Sequence, residues 1–138
     1  MAVHETQVRV LYAHTDKAGV VYYANYLTFF EIGRTEYLRS LGRSYADFER
    51  MGFILTVTEA TARYLSPAAY DDLLTIRTRV TRIRRTRLDF AYEIVNAGGA
   101  RLCEGTTVLG CLDLATKRPR ELPEELIRMI GPVPTAQS

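Results

Sequence analysis

The stretch His14-Thr15-Asp16-Lys17-Ala18-Gly19 sets an imidazole and a carboxylate two residues apart in a polar loop. Two such groups could begin a metal site, but no third ligand stands near and the only other histidine is His4, so metal chemistry is not expected. Taken alone, Asp16 reads as a turn or capping residue. Ser66-Pro67 has no G-x-S-x-G pattern around its serine, which leaves a serine triad unsupported. Hydration or dehydration at carbon needs a histidine paired with an acid, and no histidine follows His14. The second cluster is Arg82, Arg84, Arg85 and Arg87, whose guanidinium forks match phosphate oxygens of a small ligand or of nucleic acid. Arg77 and Arg79 alternate with Leu74, Ile76 and Val80, so these two read as the solvated side of a strand.

Composition bounds the chemistry further. With 138 residues, 47% of them apolar and 25% charged, the chain is expected to be one globular domain over 1–138, its core about 7–130. The net charge is +2, and of 18 basic residues only Lys17 and Lys117 are lysines. Cys103 and Cys111 are eight apart in one apparent strand, ~26 Å along it, so they read as buried hydrophobes in a reducing compartment and not as a disulfide. Residues 1–7 carry His4 and Glu5 and no apolar run, so a cytoplasmic protein is expected. The longest uncharged stretch, 18–30, contains three tyrosines, one asparagine and one threonine and is too short and polar for a membrane span.

The elements that must position these groups follow from periodicity. A first strand is expected over 7–12, then the polar loop, then a helix over 23–41 stopped by Gly42. A short helix over 45–51 has Ser44 as its candidate cap and Gly52 as its stop. From Phe53 the period becomes two, giving strands over 53–65, 72–84, 87–96 and 101–113, with Ala97-Gly98-Gly99-Ala100 as a hairpin turn. A last helical turn is expected over 124–129. Five long strands joined by short breaks imply an antiparallel sheet that curves strongly. Tyr26, Leu27, Phe29, Phe30 and Ile32 lie around most of the helix circumference, which implies a helix ~27 Å long wrapped on several sides by that sheet. The expected class is α+β.

At this point the segment Asp16-Lys17-Ala18-Gly19-Val20-Val21-Tyr22-Tyr23-Ala24-Asn25-Tyr26 carries a resemblance. It is similar to the D-x-x-G-V-V-Y-(H/Y)-x-N-Y signature of hotdog-fold acyl-CoA thioesterases of the 4-hydroxybenzoyl-CoA thioesterase and YbgC type. Phe29-Phe30-Glu31, Arg34-Thr35-Glu36-Tyr37-Leu38 and Tyr70-Asp71-Asp72-Leu73-Leu74 also resemble that family, in the order of elements read above. The resemblance implies a hotdog fold, a long central helix in a curved five-stranded antiparallel sheet, and hydrolysis of a CoA thioester.

By resemblance, Asp16 acts on the thioester carbonyl, either as a nucleophile forming a mixed anhydride or as a base for water. The family's polarising backbone amide maps onto Tyr23, at a helix start whose first amides lack partners and sit at the positive end of the dipole. Gly19, Val20, Tyr22 and Asn25 would line the substrate, Gly19 by permitting the tight turn and Asn25 by supporting the loop or capping the helix. Many YbgC-type chains carry His where this one has Tyr23. Arg84 and Arg85 are the implied contacts to the CoA phosphates. A thiolate leaves readily, its thiol having a pKa of ~8.5, so no cofactor beyond the CoA of the substrate is expected. Glu31 is expected to pair with Arg34 or Arg63, or to stand as a second carboxylate near the site.

The expected partners are an acyl-CoA or acyl carrier protein donor and further copies of the chain, as a homodimer or homotetramer whose neighbouring subunit offers Arg84 or Arg85. The alternative function is a non-catalytic acyl-CoA or nucleic-acid binding module using the Arg82–Arg87 cluster. Nucleic acid is not expected, because the basic charge is confined to one turn and no aromatic-rich RNA motif accompanies it.

Overall fold

A computed structural model describes residues 3–42 and 45–133, with the backbone alone at Tyr45. Its strands are β1 (His4–Arg9), β2 (Phe53–Tyr64), β3 (Leu73–Ile83), β4 (Arg87–Val95) and β5 (Arg101–Asp113); its helices are α1 (Asn25–Ser40), α2 (Tyr45–Arg50) and α3 (Glu124–Ile130). The five strands form one antiparallel sheet in the order β1-β3-β4-β5-β2, so β1 and β2 are its edges. The last four strands begin and end within a residue of the periodicity reading. Ser44, the candidate cap of α2, lies outside the described residues.

Alternation decides which side of the sheet is covered. On β3, Leu74, Ile76, Thr78 and Val80 are buried, while Arg77 and Arg79 point the other way as expected. The buried side meets α1, where Phe30 stacks on Tyr92 with ring centroids 4.5 Å apart and Tyr37 meets Phe90 edge to face at 5.8 Å. The helix comes so close to β3 that a Cβ on Gly33 would overlap Thr78 Oγ1 and lie 2.7 Å from an Ile76 methyl. Cys103 and Cys111 are free and buried, and burial pushes the Cys103 thiol up to about 11.

Three expectations need correction. The first strand is His4–Arg9 and not 7–12: the chain leaves the ladder where the Val10 amide and carbonyl bond to Asp72 and Asp71. Leu11 is then caught by His14 Nδ1 at 2.9 Å, and residues 12–14 wind into a 3-10 turn. The helix starts at Asn25, two residues later than expected, and ends at Ser40. At 16 residues it is ~24 Å long. The sheet covers it along one side only: Tyr26, Phe29, Phe30, Gly33, Tyr37 and Leu38 are buried, whereas Leu27 is 42% exposed beside the edge strand β2.

Candidate active site

The polar loop folds back on itself as a small hairpin. Thr15 bridges to Val21, the Asp16 amide donates to the Val20 carbonyl at 2.9 Å, and the Gly19 amide donates to the Asp16 carbonyl at 3.0 Å. Gly19 has φ +81°, the left-handed conformation that closes the turn. Asp16 Oδ1 accepts the Ala18 amide at 2.8 Å, an Asx turn that orients the carboxylate while the residue stays exposed. The hairpin is fastened to the segment before β3: the Val21 amide donates to the Ala68 carbonyl at 2.8 Å, and Val20 bridges to Ala69.

The helix start faces this turn. Its first donors wind tightly, Asn25 to Tyr22 at 2.9 Å, Tyr26 to Tyr23 at 3.3 Å and Leu27 to Ala24 at 3.2 Å. No side chain caps it, and the amides of Tyr23 and Ala24 donate to no acceptor among the described residues. Tyr23 is 60% exposed, so this pair of open donors at the positive end of the helix can meet a ligand oxygen. Asn25 resolves its two expected roles: it supports the loop, its Nδ2 donating to the His14 carbonyl at 2.8 Å, where the Tyr22 amide also donates at 2.9 Å. The His14 carbonyl therefore ties the acidic turn to the helix start. His14 itself packs edge to face on Phe29 at 5.0 Å.

Beside the open amides lies a shallow depression of about 280 Å³ lined by Val21, Tyr23, Tyr26, Tyr64, Leu65, Ser66 and Pro67. Tyr64 is a residue the sequence reading left out. It stands at the end of β2, paired with Cys103, and reaches the helix start only through the fold.

Asp16, Gly19, Val20, Tyr22, Tyr23 and Asn25 are thus brought together, but Arg84 and Arg85 are not. The acidic turn is stitched to residues 68–69, just before β3, and the arginines follow the far end of that eleven-residue strand, ~36 Å away along its axis. The two arginines also differ. Arg84 Nη2 holds Asp89 Oδ1 at 2.6 Å with its side chain 34% exposed. The Arg85 side chain is 79% exposed and among the described residues pairs with Glu121 alone, at 3.7 Å. On the strands, Arg77 binds Glu5 and Glu93, and Arg101 binds Glu93 and Glu104. Of the alternatives for Glu31, the ion pair is not formed among the described residues: Glu31 is exposed, and Arg63 lies on Glu104 at 3.5 Å.

The chain is similar to known proteins along most of its length. The sequence model of the thioesterase-like superfamily matches residues 10–130. The chain is 40% identical over 122 residues to the acyl-CoA thioester hydrolase YbgC of Escherichia coli, covering 87% of this chain and 90% of that protein. It is 31% identical over 137 residues to the 1,4-dihydroxy-2-naphthoyl-CoA hydrolase of Thermosynechococcus vestitus, covering 99% and 94%. Among solved structures, the DHNA-CoA thioesterase of Staphylococcus aureus superposes with a TM-score of 0.85 at 38% identity, over 88% of this chain and 82% of that one.

Proposed function

This chain belongs to the thioesterase-like superfamily, and we propose that it hydrolyses an acyl-CoA thioester to the free acid and CoA, with Asp16 and the Tyr23 amide as the reacting pair. The observation that carries this reading is the junction at the His14 carbonyl, which ties the loop bearing an exposed carboxylate to a helix start with open amides. The relatives named as CoA thioester hydrolases support the substrate class.

The thioester carbonyl oxygen lies toward the Tyr23 amide, which stabilises the negative charge that develops there. Asp16 either attacks the carbonyl carbon, giving a mixed anhydride that water then opens, or takes a proton from the water that attacks. In both routes the C–S bond breaks and CoA leaves as a thiolate that is later protonated. Its low basicity removes the need for a strong acid, a metal or a redox cofactor. Gly19 and Val20 shape the turn, and Tyr22 and Asn25 border the bound acyl group.

Because Arg85 follows the end of β3 remote from the acidic turn, it serves a CoA bound mainly by a neighbouring copy, in a homodimer or a tetramer of dimers. Unpaired edges on β1 and β2 and the exposed Leu27 of α1 and Val57 of β2 favour such pairing. Among the described residues no helix is long and apolar enough to cross a membrane. The two free thiols suit the reducing cytoplasm. The test is a panel of acetyl-, butyryl-, benzoyl- and palmitoyl-CoA and matching acyl carrier protein thioesters, with released thiol followed for the wild type and Asp16→Asn. Hydrolysis of one class, lost in the variant, supports the reading; inert thioesters throughout, or a fully active variant, refute it.

A further inference from the structure

Two peptide planes meet at Tyr23, and each is held separately. The Tyr22–Tyr23 plane, which carries the Tyr23 amide, is fixed from one side by the Asn25 amide on the Tyr22 carbonyl at 2.9 Å. The N–H and C=O of a trans peptide point in opposite directions, so this bond turns the Tyr23 N–H away from the helix. The Tyr23–Ala24 plane has a weaker local hold, since the Tyr26 amide reaches the Tyr23 carbonyl only at 3.3 Å. A second donor completes it from another element: the Tyr64 hydroxyl donates to the same carbonyl at 3.2 Å. The ring behind that hydroxyl is located by the β2–β5 ladder, where Tyr64 is opposite Cys103, and by edge contacts to Tyr23 at 6.2 Å and Tyr26 at 5.3 Å.

We propose that Tyr64 is a positioning residue for thioester hydrolysis, its hydroxyl holding the Tyr23 carbonyl so that the Tyr23 amide keeps its aim at the developing oxyanion. This rests on the reading of Asp16 and Tyr23 above. One hydrogen bond on the Tyr22 carbonyl leaves its plane, and the Tyr23 N–H in it, free to rock about that bond, and the dihedrals of Tyr23 transmit to it whatever hold the Tyr23–Ala24 plane has. An edge-strand tyrosine thereby couples the sheet to the helix start, at the rim of the depression beside the open amides. Such an amide acts on the transition state more than on the ground state, so its misalignment lowers kcat more than it changes KM.

The experiment is Tyr64→Phe in the full chain, which deletes one oxygen from a half-exposed ring, with kcat and KM measured on the best substrate among butyryl-, benzoyl- and palmitoyl-CoA. The same substrate, carrying a 13C carbonyl, is then bound to Asp16→Asn and to the Asp16→Asn, Tyr64→Phe double variant, and its C=O stretch is read by infrared difference spectroscopy. The expected result is a roughly five- to tenfold lower kcat with KM within about twofold. In the double variant the lowering of the bound C=O frequency seen with Asp16→Asn is reversed by half or more. An unchanged kcat with the full lowering retained in the double variant overturns the role of Tyr64 and leaves the active-site reading standing. A bound carbonyl not lowered at all in Asp16→Asn overturns the Tyr23 oxyanion role and this inference with it.

Discussion

The Asn25 side-chain amide holds the backbone carbonyl of His14 at 2.8 Å, across eleven residues of chain, and so joins the loop that carries the carboxylate to the helix that carries the open amides. Asn25→Ala removes that donor while the Tyr22 amide still occupies the carbonyl, so about 1 kcal/mol of stability is lost. Turnover should fall further than the small drop in Tm would explain, because the two halves of the site lose register. Thermal melting beside kcat at 25 °C checks this; a melt that shifts with kcat untouched would make Asn25 purely structural.

Asp16→Asn keeps the Asx turn, since the amide oxygen still accepts from Ala18, and removes both nucleophile and base. Hydrolysis should drop by about a hundredfold or more. CoA-thioester affinity, measured by calorimetry, should stay within a few-fold of wild type.

The two arginines are expected to separate cleanly. Arg84→Ala frees Asp89 at the β3–β4 turn and should cost about 1 kcal/mol or less of stability, the pair being partly exposed. Arg85→Ala should leave the denaturation midpoint in place and raise KM for CoA thioesters about three- to tenfold, with no change for a short thioester lacking phosphate. Equal losses on both substrates would assign Arg85 a structural role.

Gly33→Ala inserts a methyl where Thr78 and Ile76 already stand. The helix must lift from β3, at a cost of about 1–3 kcal/mol or more, read as a lower urea midpoint.

Cys103 provides a pH test. Its thiol is held up at about 11 by burial against an ordinary value of 9.0, so the folded state favours the protonated form. That contribution is complete below pH 9 and is lost as pH rises toward 11, where the unfolded chain ionises first. Alkylation at pH 8 should therefore be slow in the native protein and rapid in urea. Prompt labelling without denaturant would contradict the burial.

Much of this was legible in the sequence because it is local. The period-two pattern of Leu88, Phe90, Tyr92 and Ile94 marked β4, and the Asp16-to-Gly19 spacing marked the turn, since both depend on neighbours in the chain. β1 was misplaced because it is an edge strand of polar residues, and Leu11 and Tyr12, apolar but exposed, mimicked its continuation. The partners of Arg84 and of Tyr64 were invisible for a different reason. Asp89 meets Arg84 only through the bulged β3–β4 register, and Tyr64 meets Tyr23 across 41 residues. No spacing rule reports such contacts.

The length of β3 has a consequence for inheritance of activity between chains. On the proposed reading, the carboxylate at one end and the guanidinium at the other serve one substrate when two chains supply them. Asp16→Asn subunits, which turn over too slowly, and Arg85→Ala subunits, whose KM is raised, should complement one another when co-refolded. Every mixed pair then regains one intact centre opposite one doubly defective centre, and the mixture gains a low-KM component that neither parent has.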